Sequence, residues 1–129
     1  MAKKIISLIV SVVGIIIFQS FAFAQSPPIF GPNKYIRTTG APNTYSNAFQ
    51  ACNTGAAYNL IIENGEGGKD RISSASITLN GIEIVKENEF NQKVDKIEKT
   101  ISLRSENTLD IKLSSGPGGF LKVSIYCIA

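Results

Sequence analysis

Residue types that could carry out catalysis are few in this chain. It contains no histidine, which removes Ser-His-Asp and Cys-His catalysis and the commonest zinc ligand. The two cysteines, Cys52 and Cys127, lack the close spacing of a thiolate metal site. Acidic pairs such as Glu87 and Glu89 lie in a polar segment, where carboxylates are normally solvated rather than held in the cleft that glycoside hydrolysis requires. We therefore expect a protein that is not an enzyme and that carries no cofactor.

The segment NGEGGKDR, residues 64–71, combines glycines with charged side chains. Its GEGGKD portion lacks the Ser or Thr that follows the lysine of a P-loop. Glu66 and Asp70, together with glycine carbonyl groups, offer oxygen ligands of the kind that calcium takes. Lys69 and Arg71 stand beside them and would oppose a cation, so ion pairing within the loop is the favoured interpretation. The two carboxylates are weak calcium candidates, and no metal site is predicted.

Aromatic side chains could serve as platforms for a sugar ring, although the chain contains no tryptophan. The alternation of apolar residues predicts that Tyr45 and Tyr58 point inward, whereas Tyr35 and Tyr126 fall opposite the apolar residues of their strands. Tyr35 with Arg37 would offer stacking beside a hydrogen-bond donor, and Tyr126 is the second outward ring. These three residues form the predicted ligand patch. The competing interpretation is that each outward ring covers a sheet edge and keeps only its hydroxyl in water.

The N-terminal residues have the three regions of a secretory signal peptide. Lys3 and Lys4 precede the apolar run Ile5–Phe18, and the small-x-small triplet AFA ends at Ala24. The alternative, a membrane anchor, requires about 18–20 apolar residues, and this run is shorter. We predict cleavage between Ala24 and Gln25 and export through the Sec pathway to the periplasm, the cell surface or the medium. No stable membrane span is expected after cleavage.

The remaining 105 residues, 25–129, are enough for one domain. Without the two lysines of the signal segment, 11 basic side chains stand against 10 acidic ones, a net charge of +1. A chain so nearly neutral has no basic stripe of the kind that phosphate backbones require. We therefore do not expect nucleic acid as a partner.

Two cysteines remain after cleavage, and in an exported protein an even number favours a disulfide. Closing the loop between Cys52 and Cys127 would stabilise the fold by roughly 4 kcal/mol in the chain-entropy model. Alternation along the last predicted strand places Cys127 on the inward face, from which a bridge could tie two sheets together. The alternative is two unpaired thiols, with Cys127 packed as a small apolar residue.

The elements that must position these residues are strands. Residues 25–33, which hold three prolines and a glycine, are predicted to form an extended lead-in to a single domain over residues 34–129. Beyond them apolar residues recur with period two between turns rich in Gly, Asn and Pro. The predicted strands are Lys34–Thr38, Thr44–Ala51, Tyr58–Glu63, Ser73–Leu79, Ile82–Lys86, Ile97–Leu103, Thr108–Leu113 and Phe120–Ile128.

The segment SASITLNGIEIV, residues 74–85, predicts a hairpin. Apolar residues at alternate positions of 75–79 share one strand face, and Asn80-Gly81 supplies the two positive-φ residues of a type I′ turn. Ile82 and Ile84 are predicted to continue the apolar side.

Residues 88–99 are ambiguous. Phe90, Val94, Ile97 and Ile101 have a spacing that also suits a short helix, against the alternative of a loop that runs into a strand. The pattern of short strands and turns over the rest of the domain predicts an all-β, antiparallel β-sandwich of about eight short strands, jelly-roll-like or immunoglobulin-like.

Five strings spread over residues 30–125 carry a resemblance, namely FGPNKYIRTTGAPNTY, NGEGGKDRISSASITLNGIEIV, FNQKVDKIEKTISL, NTLDIKL and PGGFLKVSI. Together they look like a β-sandwich module of bacterial secreted and surface-exposed proteins. The resemblance implies a sandwich fold and an extracellular compartment. It carries no catalytic residue set, and the cysteine pair lies outside it.

Two functions from different classes remain. The first is an exported, non-catalytic binding module for an extracellular ligand, either a glycan or a surface protein. The second is a structural or assembly component of a cell-surface or periplasmic complex. Exposed sheet edges invite strand addition, so self-association is part of the second hypothesis.

Overall fold

The structure is a computed structural model that describes residues 26–128. The predicted signal peptide, residues 1–24, and its cleavage point between Ala24 and Gln25 lie outside the described residues. The strands are β1 (Phe30–Ile36), β2 (Asn43–Gln50), β3 (Ala57–Asn64), β4 (Ser74–Leu79), β5 (Ile82–Val85), β6 (Lys96–Ser102), β7 (Glu106–Ser115) and β8 (Phe120–Cys127).

The eight strands form two antiparallel sheets of four strands each. The first sheet has the order β1-β8-β3-β6 and the second β2-β7-β4-β5. All but one of the connections along the chain pass from one sheet to the other, the exception being the β4–β5 hairpin. This strand order is that of a jelly roll. The predicted all-β antiparallel sandwich is therefore confirmed, in its jelly-roll form.

The interior is filled by every second side chain of both sheets, as the alternation predicts. Burial of one such aliphatic side chain contributes about 1.5–3 kcal/mol relative to leaving it in water. Tyr58 is buried, and Tyr45 packs against the core, as expected for these two rings. The fully buried side chains include Leu109, Ile111 and Leu113 of β7 and Leu121, Val123 and Ile125 of β8.

The β4–β5 hairpin turns at Asn80-Gly81, and both residues have positive φ, 51° and 83°. Ile82 lies opposite the buried Leu79 and so continues the apolar side of the hairpin, as expected, but its side chain is 65% exposed. The pairing between β4 and β5 slips by one residue between Ile77 and Thr78, so Val85 takes the buried place opposite Ile77 and Ile84 is only half-buried. Ile82 lies on the turn side of this slip, and its exposure comes from its place at the end of the edge strand β5.

Residues 88–99 form no α-helix. A 3₁₀ turn spans Glu87–Glu89, and β6 begins at Lys96. The backbone N–H of Lys86 donates to Oε2 of Glu89 at 2.8 Å, which closes the turn before a loop runs into the strand. Of the two alternatives for this segment, the loop followed by a strand is the one observed.

Asn64, at the end of β3, fixes the loops at one end of the sandwich. Its fully buried amide donates to the carbonyl oxygens of Ile72 and Val94, each at 3.0 Å. Its Oδ1 accepts from the Ile72 N–H at 2.7 Å. Because the side chain replaces backbone partners for two separate loops, it holds the glycine-rich loop against the chain that leads into β6.

Strand β1 begins at Phe30, inside the predicted lead-in. Its pairing with β8 is irregular between Phe30 and Asn33, and the strand then runs regularly to Ile36. Within residues 26–128 no helix is long and apolar enough to cross a membrane.

Candidate functional site

The outer face of the first sheet is built by the residues that alternate with the core. In β8 the residues between the buried Leu121, Val123 and Ile125 point outward. Strand β3 contributes Ile61, which lies opposite Ser124 in the register. The central strands β8 and β3 thus place a mixed set of polar and apolar side chains on one open surface.

A cavity of about 350 Å³ lies over this surface. We call its lining the lysine–tyrosine face. Its residues come from all four strands of the first sheet and are Pro32, Lys34, Ile61, Glu63, Lys96, Lys122, Ser124 and Tyr126.

The floor of the lysine–tyrosine face is apolar at one end. Tyr126 is half-buried near the end of β8 and lies opposite Asn59 of β3. Ile61 and Pro32 line the same cavity. A flat ring beside small apolar groups suits the C–H face of a ligand whose other groups are polar.

The other end of the face is cationic. Lys34 of β1 lies directly opposite Lys122 of β8, and Glu63 of β3 lies directly opposite Lys122 on the other side. The row is completed by Lys96 of β6, which pairs with Glu63 in the register. The four side chains of this row carry a net charge of +2.

Phe120 lies beneath the two neighbouring lysines. The Nζ atoms of Lys34 and Lys122 are 4.1 and 5.9 Å from the centre of its ring. Phe120 shares the outward parity of Lys122, so its low exposure comes from these covering side chains rather than from the core. The ring holds both ammonium groups near one point of the surface.

The remaining contacts of the lysines are ion pairs with carboxylates. Lys96 contacts Glu98 at 2.6 Å, and this hydrogen-bonded contact lowers the pKa of Glu98 and raises that of Lys96. Lys122 contacts Glu66 at 3.5 Å, and the Glu66 side chain is 74% exposed. Lys34 takes part in none of the ion pairs found among residues 26–128. Of the three lysines it is the one without an ion-pair partner among these residues.

The structure corrects two members of the predicted ligand patch. Tyr35 is only 5% exposed, and its ring packs against that of Tyr45 at 5.2 Å between centroids. Burial raises the pKa of the Tyr35 hydroxyl. The sequence prediction took apolar Ile36 as the inward residue, but the irregular pairing near Pro32 reverses the parity, and Ile36 faces solvent. Only Tyr126 of the predicted patch lies on an open surface.

Arg37 is also buried, with 4% of its surface exposed. Its guanidinium reaches over the β1–β2 turn to β7 and has no carboxylate partner among the ion pairs of residues 26–128. It is a structural clamp rather than a ligand group. It donates to the carbonyl oxygens of Thr38, Gly40 (2.8 Å), Ala41 (3.0 Å) and Ser114 (3.2 Å), and to Oδ1 of Asn43 (2.9 Å).

The two cysteines are free and exposed in the structure. Cys127 lies opposite the buried Tyr58 in the register of β8 and β3, so it is on the inward side of β8. It is also the last residue of the strand, where the chain leaves the sandwich. The predicted inward parity is therefore observed, but the thiol is exposed and does not pack as a small apolar core residue. Cys52 precedes Asn53, whose carbonyl accepts from the Tyr58 hydroxyl at 2.7 Å, so both cysteines lie at the same end of the molecule.

The glycine-rich loop forms a tight hairpin. The backbones of Glu66 and Lys69 exchange two hydrogen bonds of 3.0 Å, and Asp70 has a φ of 58°. Arg71 pairs with Asp95 at 3.1 Å. No group of three or more His, Cys, Asp or Glu side chains that could hold a metal ion occurs within residues 26–128. Glu66 and Asp70 therefore have no further acidic partner for a calcium ion.

A larger groove, of about 920 Å³, lies at the β4–β5 turn, with Arg104, Glu106 and Asp110 in its lining. Within the groove the side-chain N–H of Asn80 donates to Oδ1 of Asn107 at 3.0 Å. The lining is mostly polar and charged. Its one aromatic residue, Phe49, packs against the core and against the ring of Phe30, so the groove lacks the outward-facing ring of the lysine–tyrosine face.

Comparison with known proteins adds a limited result. No family model and no curated protein matches the sequence. Among solved structures, that of a family 35 carbohydrate binding module from an environmental isolate is similar to this chain, with a TM-score of 0.42 and 15% identity over 86% of this chain and 79% of that one. A likeness at this level transfers neither a ligand nor a site, so function is argued from the residues of this chain.

Sequence reasoning missed the cationic end of the site. Lys122 could have been found, because it shares the parity of Tyr126 along β8. Lys34 could not have been found, since the face of the sheet on which its side chain lies depends on the pairing of β1 with β8 and on the irregularity near Pro32. The signal that the sequence does carry is the outward alternation of the last strand.

Proposed function

We propose that this protein is an exported, non-catalytic module that binds a glycan through its lysine–tyrosine face. The observation that carries the proposal is the cavity over the first sheet, in which Tyr126, Ile61 and Pro32 form an apolar floor beside polar side chains. A sugar has the matching character, with an apolar C–H face and a rim of hydroxyls. Removal of residues 1–24 during export would bring the module into contact with such ligands.

The positions of the lining residues support binding of a chain rather than of a single small molecule. The side chains come from the two central strands β8 and β3 and from both edge strands, so the cavity runs across the sheet. It is open to solvent along the surface, and Ser124 and Lys122 offer hydrogen-bond donors between the apolar groups. A ligand can therefore lie on the sheet and extend beyond the cavity.

The experiment is a glycan array followed by titration of the best oligosaccharide against the purified protein. Tyr126→Ala should weaken binding about tenfold, because it removes a stacking contact of about 1–1.5 kcal/mol. Tyr126→Phe, which keeps the ring, should retain most of the affinity, and Glu106→Ala in the larger groove should retain all of it. Absence of binding to every glycan overturns the function, and binding that Tyr126→Ala leaves unchanged overturns the site.

A second function is favoured by a separate observation, the exposed Ile82 on edge strand β5. Ile82 and Ile84 line a groove of about 380 Å³ together with Ile101 and Leu103 of the facing strand and turn. Such a surface suits an assembly component that adds a partner at the sheet edge. Light scattering of the wild type and of Ile82→Lys tests it: a concentration-dependent oligomer that the substitution dissociates supports assembly, and a monomer in both cases excludes self-assembly.

A further inference from the structure

We propose that the glycan bound by the lysine–tyrosine face is acidic, with an anionic substituent that lies between Lys34 and Lys122. This inference rests on the proposed function and deepens it by naming the class of ligand. The chemistry recognised is a carboxylate or a sulfate group carried on the sugar chain.

The first observation is a repulsive arrangement that a ligand would relieve. Lys34 and Lys122 are directly opposite each other on neighbouring antiparallel strands. Side chains in that position have Cβ atoms about 4.5–5.5 Å apart, and like charges there are destabilising. Both ammonium groups also approach the ring of Phe120, which attracts cations without neutralising their charge. An anion placed between them would be attracted by both.

The second observation is that the protein supplies little counter-charge at this point. Lys34 has no ion-pair partner within residues 26–128, and Lys122 has only the long contact with an exposed Glu66. Glu63 lies opposite Lys122 in the register but forms no ion pair with it. Lys96 is engaged by Glu98 at 2.6 Å. The positive charge is therefore concentrated on the side of the row that Lys34 occupies.

The third observation sets the length of the ligand. Tyr126 follows Lys122 by four residues on the same strand, which corresponds to about 13 Å along β8. A ligand that stacks on the ring and also reaches the lysine pair must span this distance. An oligosaccharide with a charged unit some way from the stacked sugar meets the requirement, and an acidic monosaccharide does not.

Matched polymers separate the charge from the sugar. We compare polygalacturonate with its methyl ester, and dextran sulfate with dextran, by affinity electrophoresis and calorimetry. The acidic member of at least one pair should bind at least fivefold more tightly than its neutral partner, and added salt should reduce the difference. The carboxylated and sulfated pairs show which anionic group is used.

Lys34→Gln is the diagnostic variant, and Lys112→Gln is its control. Lys112 is exposed on the outer face of the second sheet, in register with Thr44. Lys34→Gln should reduce binding of the acidic polymer about fivefold and so bring its affinity close to that of the neutral partner, whereas Lys112→Gln should change neither affinity. Equal affinity for the acidic and neutral members of both pairs, or an acidic preference that Lys34→Gln leaves intact, overturns the inference.

The same data distinguish this inference from the proposed function. Tyr126-dependent binding of neutral glycans without an acidic preference leaves the function standing and refutes the acidic ligand. Binding of no glycan, neutral or acidic, refutes both.

Discussion

Replacement of Arg37 tests whether this residue belongs to the framework or to the ligand site. Arg37→Met keeps the aliphatic stem and removes the guanidinium, with its hydrogen bonds to the β1–β2 turn and to β7. The carbonyl groups of the exposed turn regain water when the donor is lost. The Ser114 carbonyl and the Asn43 side chain lose the contacts that tie the turn to the second sheet.

The magnitude follows from those two anchoring contacts. A hydrogen bond to a charged group contributes about 1.5–3 kcal/mol, so two of them contribute about 3–6 kcal/mol. The buried guanidinium also pays a desolvation cost, which its removal relieves, and its Nε has no hydrogen-bond partner. We therefore expect Arg37→Met to lower the free energy of unfolding by about 2–4 kcal/mol.

Urea unfolding with linear extrapolation measures the effect. Arg104→Met is the matched control, because the Arg104 side chain is exposed, and it should change the free energy of unfolding by less than about 0.5 kcal/mol. Arg37→Lys keeps the charge but replaces the planar fork by a single ammonium, so it should also cost at least about 2 kcal/mol. A decrease of less than about 1 kcal/mol in the free energy of unfolding of either Arg37 variant would show that Arg37 does not hold the β1–β2 turn against the second sheet.

Three further predictions concern other polar groups. Asn64→Asp should lower the free energy of unfolding by at least about 3 kcal/mol in urea titrations, because a carboxylate would face two carbonyl oxygens at 3.0 Å; wild-type stability would contradict the bridging role. The hydrogen bond from Lys99, and then one from the backbone, lowers the pKa of Glu89 below its ordinary 4.5. The ionised Glu89 therefore stabilises the fold above pH 4.5, and this stabilisation is lost as the pH falls through the lowered pKa. The difference in free energy of unfolding between wild type and Glu89→Gln should shrink from neutral pH to about pH 2.5. A difference that stays constant over this range would show that the pKa is not lowered. The disulfide between Cys52 and Cys127 stays a prediction for the exported protein, and intact masses before and after reduction test it: a gain of two hydrogens on reduction supports the bond, and equal masses exclude it.

The fold was largely accessible from sequence because its signals are local. Alternation in β4, β7 and β8 marks the buried side chains, and the positive φ at Asn80 and Gly81 follows from residue type. Each strand can be located without knowing its neighbours. Which strands pair with each other in the jelly roll depends on residues far apart in the chain, and local patterns do not contain this information.

The predicted ligand patch was wrong at Tyr35 and Arg37, because the facing of β1 side chains depends on how that strand pairs with β8 and not only on its own sequence. Apolar Ile36 suggested the wrong inward face for β1, because the strand changes parity at its irregular pairing with β8. Tyr35 and Arg37 therefore turn into the molecule, and Lys34 turns onto the surface. Tyr126 was placed by the regular alternation of β8, which no irregularity interrupts. The side chain predicted from an uninterrupted strand was the one placed on the outer face.

The most direct test of the central claim is an NMR titration of the labelled protein with an acidic oligosaccharide that it binds. The account predicts that the shifted backbone amides cluster on β8, β3 and β1, around Tyr126, Ile61 and Lys34, and that the β4–β5 turn stays unchanged. Shifts confined to that turn and its charged groove, or to the glycine-rich loop of residues 64–71, would contradict a binding site on the outer face of the first sheet.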